Sequence, residues 1–414
     1  MMFRRIALLL SGFAAFADGQ NEFYLKEGDR IVVYGDSITD QRLYTTYTET
    51  YVLTRFPRMH VAFVHSGWGG DRVTGGGGGP VDRRLQRDVV AYKPTVMTIM
   101  LGMNDGSYRA FDPKIFATFA NGYQHIVETV RRALPDIRIT AIEPSPFDDV
   151  TRPTQFEGGY NSVLLRFGEF LKQEAAKDRL TIADLNTPVV AALRAANQAD
   201  PQLAQKILPD RVHPGPAGHL LMAEALLKAW KAPAVVTSVE IDGSTGKVSE
   251  ARNSDVSQLK TGASLSWTQL DRALPMPFDS KEPTVALAIR SSDFLEALDR
   301  EPLKVTGLPG PRYSLRIDGA DVGTFDKAEL ANGINLAKLP TPMMKQAADV
   351  HALTIKRTNV HNARWRIVEV PLQDEKITSA EAAMSALDKV DNEIMLSQRG
   401  AAQPVPHRYE LIPQ

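Results

Sequence analysis

Between residues 28 and 230 the chain alternates short apolar runs with amphipathic stretches, and this alternation limits its fold more than any other feature. The apolar runs, rich in β-branched residues, cover positions 30–34, 61–64, 95–101, 137–142 and 180–183. Residues 115–134, 159–176 and 216–230 carry apolar side chains at spacings of three and four, as amphipathic helices do. Apolar strands that alternate with helices are typical of βαβ units around a parallel sheet covered on both faces. The sequence therefore predicts one doubly wound α/β domain, which we place at residues 18–232.

A different pattern starts after the segment 231–234. Strand-like runs follow one another with no long helix between them, at positions 236–241, 283–290, 313–317 and 322–325. The pair Asp318-Gly319 joins the last two runs and is a strong signal of a β-hairpin. We therefore predict a β-rich accessory unit at residues 235–340.

Helical patterns return towards the end of the chain. One extends from Met343 to about Arg366, and another starts at Thr378, whose spacing to Glu381 fits a capping box. These patterns predict a helical C-terminal segment at residues 341–414 that packs on the accessory unit and ends in a loose tail.

The first residues have the organisation of a secretory signal peptide. Arg4 and Arg5 supply positive charge, residues 6–16 are almost entirely apolar, and Ala15-Phe16-Ala17 places small residues before a cleavage site. The apolar run is shorter than the roughly 20 residues that span a bilayer. We predict a signal peptide at residues 1–17, cleavage after Ala17, and export to the periplasm or the extracellular space. A buried N-terminal helix or an uncleaved anchor is the alternative.

The composition excludes several classes of protein. The chain has 48 Lys and Arg against 49 Asp and Glu, whereas a nucleic-acid-binding protein carries a basic excess. It has no Cys, which excludes disulfides, thiolate metal sites and a cysteine nucleophile. Its eight His show no metal-ligand spacing, and no segment after residue 17 has 18 uninterrupted apolar residues. We therefore expect no cofactor, no metal, no nucleic-acid partner and no integral membrane association, and the oligomeric state stays open.

Four short blocks with polar residues follow predicted strands or precede the last helix of the domain. They are Gly35-Asp36-Ser37, His65-Ser66-Gly67-Trp68-Gly69-Gly70, Gly102-Met103-Asn104-Asp105 and Asp210-Arg211-Val212-His213. Functional groups of open α/β sheets collect at the carboxyl ends of strands, where Ser37 is placed to act as a nucleophile. Asn104 has an amide that can donate to an oxyanion, and Asp210 can orient the imidazole of His213. Each block alone is equally typical of a helix cap or a tight turn, but together they predict a catalytic site.

In this order the four blocks resemble the SGNH, or GDSL, hydrolase superfamily, and the resemblance covers about residues 28–231. It implies a flavodoxin-like three-layer α/β/α fold and the hydrolysis of esters. Carried over to this chain, it implies that Ser37 is the nucleophile, His213 the general base and Asp210 the residue that orients it. It also implies an oxyanion hole made by the backbone N–H groups of Ser37 and Gly70 and the side chain of Asn104.

Two positions in the second block need separate interpretation. His65 stands where the family commonly has Asn, so the local hydrogen bonding is expected to differ. Trp68 lies between the glycines and offers a stacking face for a sugar or an acyl group, or else packs against the domain.

The expected function is a secreted serine esterase that forms an acyl-enzyme without a metal or an organic cofactor. Export and the β-rich unit favour short-chain, acetyl esters on carbohydrate, so the expected partner is a small-molecule or polysaccharide ester. A lysophospholipase, lipase or thioesterase of the same superfamily is one alternative. A non-catalytic glycan-binding or structural protein, acting through residues 235–414, is another.

Overall fold

The computed structural model describes residues 23–414, so the predicted signal peptide at residues 1–17 lies outside the described residues. The α/β domain comes first. Its strands and helices are β1 (Arg30–Gly35), α1 (Ser37–Asp40), α2 (Leu43–Arg55), β2 (Ala62–Gly67), β3 (Gly75–Gly76), β4 (Gly79–Pro80), α3 (Val81–Asp88), β5 (Val96–Met100), α4 (Pro113–Ala133), β6 (Arg138–Ile142), α5 (Gly159–Asp178), β7 (Thr181–Ala183), α6 (Thr187–Ala199), α7 (Pro201–Ala204) and α8 (Pro216–Ala229).

Five strands of this domain form one parallel sheet in the order β2-β1-β5-β6-β7. Strand β5 is buried at every position, because helices cover both faces of the sheet. On α4, the buried residues Phe119, Tyr123, Ile126 and Val130 recur at helical spacing and face the core. Asp112 caps the same helix by accepting a hydrogen bond from the backbone N–H of Lys114. The doubly wound α/β fold predicted from the sequence is therefore confirmed.

The accessory unit is a two-sheet sandwich. Its elements before the last helices are β8 (Ser238–Asp242), β9 (Lys247–Arg252), β10 (Ser254–Lys260), β11 (Leu265–Asp271), α9 (Pro283–Arg290), α10 (Phe294–Leu298), β12 (Pro302–Thr306), β13 (Arg312–Ile317), β14 (Ala320–Asp326), α11 (Lys327–Asn332) and β15 (Ile334–Asn335). One sheet has the order β15-β12-β8-β9. Strands β11 and β13 belong to the second sheet. Their apolar residues form a single buried cluster with those of the first sheet, so the two sheets pack face to face. The predicted hairpin at Asp318-Gly319 joins β13 and β14.

The structure corrects the prediction of a strand at residues 283–290, which form helix α9. Pro283 occupies the first helical turn, and the Glu282 side chain accepts a hydrogen bond from the N–H of Val285 at 2.7 Å. Periodicity alone does not separate a short buried strand from a short buried helix. Val285 and Phe294 belong to the core of the α/β domain, so α9 and α10 interrupt the accessory unit predicted at 235–340.

The C-terminal segment consists of α12 (Pro342–Asn362), a π-helix (Ala363–Glu369), α13 (Val370–Leu372), α14 (Thr378–Ala401) and β16 (Pro406–Pro413). Strand β16 is the central strand of the second sheet, whose order is β10-β11-β16-β13-β14. The expected loose tail is therefore wrong: Tyr409 and Leu411 alternate into the sandwich core, and their neighbours pair on both sides.

Within residues 341–414, strand β16 and the first turns of α12 pack in the accessory unit, and the rest of α12 does not. Met343 and Ala347 lie in the sandwich core, whereas Val350 packs with Leu53 on α2. The rest of α12 follows α2, and the C-terminal segment thereby reaches the α/β domain. The predicted capping box of Thr378 does not form, since the helix begins at Thr378 and no side chain caps it. Across residues 23–414, no helix combines the length and the apolar character that crossing a membrane requires.

Candidate active site

The first block lies where β1 ends and the short helix α1 begins. The Asp36 carboxylate accepts a hydrogen bond from the N–H of Ile38 at 3.0 Å and fixes this junction. Asp36 is fully buried, and burial raises the pKa of its carboxyl group to about 7. Ser37, the next residue, is partly exposed at the carboxyl edge of the sheet.

The structure brings Ser37, His213 and Asp210 into one hydrogen-bonded chain. His213 Nε2 lies 2.8 Å from Ser37 Oγ, and His213 Nδ1 lies 2.7 Å from Asp210 Oδ2. The other carboxylate oxygen of Asp210 accepts the backbone N–H groups of Val212 at 2.9 Å and His213 at 2.7 Å. Burial acts to raise the pKa of Asp210, but the hydrogen bonds from the backbone and the side chain of His213 outweigh it and lower that pKa. Asp210 is thus held as an anion beside the imidazole.

The glycines of the second block bring its backbone against α1. A side chain at Gly67 would place its Cβ 2.2 Å from the backbone nitrogen of Asp40, so only glycine fits. Gly70 has a φ of +77°, which also favours glycine. Among the described residues, neither the N–H of Ser37 nor that of Gly70 donates to a partner. Both donors are therefore free for a ligand oxygen.

The third block places Asn104 between two fixed partners. Its amide Nδ2 donates to the backbone oxygen of Asp71 at 3.1 Å, and its Oδ1 accepts from the hydroxyl of Tyr108 at 3.0 Å. One N–H of the amide remains for another acceptor. Ser107 and Tyr108 have φ angles of 57° and 54°, the strained left-handed region for residues with a side chain. Tyr108 was not predicted as a site residue, and its position four residues after Asn104 is the one sequence signal that points to it.

A buried ion-pair network contacts the second block through Arg84, which donates to the backbone oxygen of Ser66 at 2.9 Å. Arg84 donates to Asp71 at 2.8 Å and also pairs with Asp88, and all three side chains are fully buried. Trp365, on the π-helix of the C-terminal segment, donates its indole N–H to Asp88 at 2.6 Å. Burial raises the pKa of Asp71, although Arg84 opposes that change. The C-terminal segment is therefore connected through Asp88 and Arg84 to Asp71, the residue after Gly70.

His65, which stands in the place of the family's usual Asn, belongs to a buried network rather than to the cleft. Its Nδ1 lies 2.7 Å from Thr45 Oγ1, and its Nε2 lies 3.2 Å from the carboxylate of Glu49. Glu49 is also paired with Arg357 of α12 at 3.0 Å. The backbone oxygen of His65 accepts from Nε2 of His361 at 3.1 Å. In this chain His65 thus connects the parallel sheet to the C-terminal segment.

In the structure Trp68 packs against the protein, which was the alternative to a stacking face for the substrate. Its side chain is only 9% exposed, and the guanidinium carbon of Arg366 lies 3.2 Å from the centroid of its ring. Trp365 packs edge-on against it, with ring centroids 5.7 Å apart. The face expected to hold a sugar or an acyl group is therefore covered by residues almost 300 positions away.

An open cleft of about 330 Å³ lies beside the catalytic candidates. It is lined by Ser37, Asp40, Gln41, Arg42, Asn362 and Arg366. Gln41 is held by buried His219, whose Nε2 lies 2.9 Å from Gln41 Oε1. Asn362 and Arg366 come from the C-terminal segment, and neither was among the site residues predicted from the sequence. Within the part of the chain that the structure describes, no group of three His, Asp or Glu side chains is arranged to hold a metal ion.

Comparisons with known proteins agree with this architecture. Residues 33–221 match the family model described as GDSL-like lipase/acylhydrolase. An acetylxylan esterase from Geobacillus stearothermophilus is 25% identical over 223 residues, which cover 49% of this chain and 93% of that esterase. Among solved structures, the gut microbial diltiazem-metabolizing enzyme BT4096 superposes with a TM-score of 0.80 at 27% identity, over 94% of this chain and 98% of that one.

The fold, the four blocks and these similarities show that residues 33–221 form a GDSL-like lipase/acylhydrolase domain of the SGNH, or GDSL, hydrolase superfamily. It is a hydrolase that acts on ester bonds. Its similarity to BT4096 extends beyond the α/β domain through the accessory unit and the C-terminal segment.

Proposed function

We propose that this protein is an exported serine esterase that removes short acyl groups, acetyl above all, from carbohydrate. The observation that carries the catalytic part is the hydrogen-bonded chain from Ser37 Oγ through His213 to Asp210, with distances of 2.8 and 2.7 Å. A nucleophile, a base within hydrogen-bond reach and a third group that orients the base are the arrangement that acyl transfer needs.

In the first half of the reaction, His213 Nε2 takes the proton of Ser37 as Oγ attacks the ester carbonyl carbon. The carbonyl oxygen becomes an oxyanion, which accepts hydrogen bonds from the N–H groups of Ser37 and Gly70 and from the amide of Asn104. When the tetrahedral intermediate collapses, the bond to the alcohol oxygen breaks, and His213 gives its proton to that oxygen.

In the second half, water replaces the alcohol. His213 removes a proton from the water as its oxygen attacks the acyl-enzyme, and the same donors hold the second oxyanion. The bond to Ser37 Oγ then breaks, His213 returns the proton to Ser37, and the carboxylic acid leaves. Asp210 keeps Nδ1 protonated and stabilises the imidazolium in both halves.

The nature of the cleft supports a small acyl group on a polar alcohol. All six residues that line the cleft of about 330 Å³ are polar. A preference for long chains needs an apolar trench, because each buried CH₂ contributes about 0.8 kcal/mol. The similarity to an acetylxylan esterase favours the same substrate class. Export rests on the sequence of residues 1–17 and is tested by sequencing the N-terminus of the protein recovered outside the cytoplasm.

Two measurements test the proposal. A fluorescent phosphonate should label the wild-type protein and fail to label Ser37→Ala, which separates an esterase from a glycan-binding scaffold. The value of kcat/KM for nitrophenyl esters should fall from acetate through butyrate to octanoate, and acetylated xylan should release acetate. A tenfold or greater preference for octanoate would overturn the carbohydrate-ester assignment in favour of a lipase-like activity.

A further inference from the structure

One side of the cleft has no part in the proposed acyl transfer. We call it the guanidinium flank and define it by Arg42, Asn362 and Arg366. The C-terminal segment supplies two of its three residues, and all three line the same cleft as Ser37. Any substrate whose ester reaches Ser37 therefore passes close to these side chains.

Arg366 is held in position but lacks a hydrogen-bond acceptor. Its guanidinium carbon lies 3.2 Å from the centroid of the Trp68 ring, and its side chain is 24% exposed. Within residues 23–414 it donates no hydrogen bond, and its Nη1 is buried without a partner. Asp40 Oδ1 lies 3.7 Å from Nη1, close enough for an ion pair but beyond hydrogen-bond distance. A guanidinium has five donors in a planar fork, so the donors other than those of the buried Nη1 are available to an external acceptor on the exposed side.

The backbone around Arg366 is fixed by its neighbours. It lies in the π-helix Ala363–Glu369, a rare conformation that is often found at functional sites. On one side Trp365 is buried and bonded to Asp88, and Arg364 donates to Asp388 at 2.6 Å. These contacts leave Arg366 as the residue of this turn that reaches the cleft.

The flank also has an excess of positive charge. Arg42 donates to three neutral oxygens, those of the Asp40 and Thr358 backbone at 3.3 Å and of the Asn359 amide at 3.2 Å. Asp40 is the single carboxylate among the residues lining the cleft, and its Oδ2 already accepts the N–H of Gly69 at 3.1 Å. Two guanidinium groups therefore face one partly engaged carboxylate. Burial lowers the pKa of both Arg42 and Arg366, as expected for cations without full compensation.

We propose that the guanidinium flank binds a carboxylate on the carbohydrate part of the substrate, with Arg366 as the residue that determines this specificity. The substrate class is then acetylated acidic carbohydrate, such as glycans that contain uronic acid. This inference rests on the esterase function proposed above and specifies its substrate. The planar fork of Arg366 matches the two oxygens of a carboxylate, and the Asn362 amide lines the same flank.

The test uses two esters that differ in a single group, an acetylated methyl glucuronoside and the corresponding acetylated methyl glucoside. The wild-type enzyme should prefer the glucuronoside, and added salt should raise its KM for that ester alone. Arg366→Gln should lower kcat/KM for the glucuronoside by about 10–100-fold, mainly through KM, and change the glucoside and nitrophenyl acetate less than about threefold. Lys356→Gln, the same loss of charge at an exposed position of α12, is the matched control and should change neither.

Asp40→Asn should have the opposite effect on specificity. It removes the carboxylate that competes for Arg366 and should increase the preference for the glucuronoside over the glucoside. Equal losses on both sugar esters in Arg366→Gln, or no preference in the wild type, would overturn the inference. If nitrophenyl acetate is not hydrolysed at all, the proposed esterase function fails. In that case ligand-observed NMR still tests the flank, because free methyl glucuronoside should bind the wild type and not Arg366→Gln.

Discussion

Removing the hydroxyl of Tyr108 should slow the enzyme modestly, and only through Asn104. The hydroxyl donates to Asn104 Oδ1 at 3.0 Å and so fixes which edge of the amide carries the N–H groups. In Tyr108→Phe the ring keeps its packing against Tyr160, with centroids 5.1 Å apart, while the amide retains only its bond to the Asp71 oxygen. The change therefore loosens the orientation of one proposed oxyanion donor without removing it.

The size of the effect follows from the kind of bond and its exposure. A neutral hydrogen bond contributes about 0.5–1.5 kcal/mol, which corresponds to roughly 2–12-fold in rate. Tyr108 is 38% exposed, so water can partly replace its hydroxyl and the lower part of that range applies. We expect a loss of about 2–5-fold in kcat with little change in KM, whereas Asn104→Ala should cost about 10²–10³-fold.

The assay is steady-state hydrolysis of nitrophenyl acetate by Tyr108→Phe, Asn104→Ala and the double variant. Because Tyr108 acts through Asn104, the double variant should be no slower than Asn104→Ala. Tyr123→Phe is the matched control, since its buried hydroxyl has no partner in the described part of the chain. The reasoning is wrong if Tyr108→Phe alone costs 100-fold, or if its effect persists undiminished in the Asn104→Ala background.

Two further predictions concern catalysis and stability. Ser37→Ala and His213→Ala should each leave at most a few per cent of esterase activity, and a fully active His213→Ala enzyme would refute the proposed mechanism. In Asp210→Asn the remaining oxygen still accepts the backbone N–H groups, so the amide nitrogen faces His213 Nδ1, favours the wrong tautomer and should also lower kcat steeply. Burial and neighbouring carboxylates raise the pKa of Glu301 well above 4.5, and neither of its carboxylate oxygens has a hydrogen-bond partner among the described residues. The folded state therefore binds a proton on Glu301 more tightly than the unfolded state does. The stability that the protonated carboxyl group contributes below pH 4.5 is lost as the pH rises through the pKa of the folded state. Glu301→Gln should therefore raise the free energy of unfolding at pH 8 by about 1–3 kcal/mol and make little difference at pH 4. The control variant Glu296→Gln, at an exposed position, should change the free energy of unfolding at neither pH. Equal unfolding curves for Glu301→Gln and the wild type at pH 8 would contradict this prediction.

Features that depend on nearby residues were predictable from the sequence. A strand covered on both faces must be apolar at nearly every position, so the five runs identified the parallel sheet and its helices before any contact was known. The carboxyl ends of parallel strands meet at one edge, which is why blocks far apart in sequence, such as those of Ser37 and Asn104, were expected near each other. The spacing of Asp210 and His213 is likewise local, and their hydrogen bonds form within one turn.

Only the tertiary structure decided which surfaces meet across long stretches of chain. Residues 283–290 form a helix because Glu282 caps it and the α/β core accepts its apolar face, neither of which periodicity reveals. Trp68 is covered and the cleft gains a guanidinium because Arg366 docks there from a segment almost 300 residues away. Sequence patterns encode the period and the ends of elements, whereas docking depends on the shape and charge of surfaces that exist only after those elements have folded. The residues that shape the cleft around Ser37 come together through such docking, so they were decided by the tertiary structure.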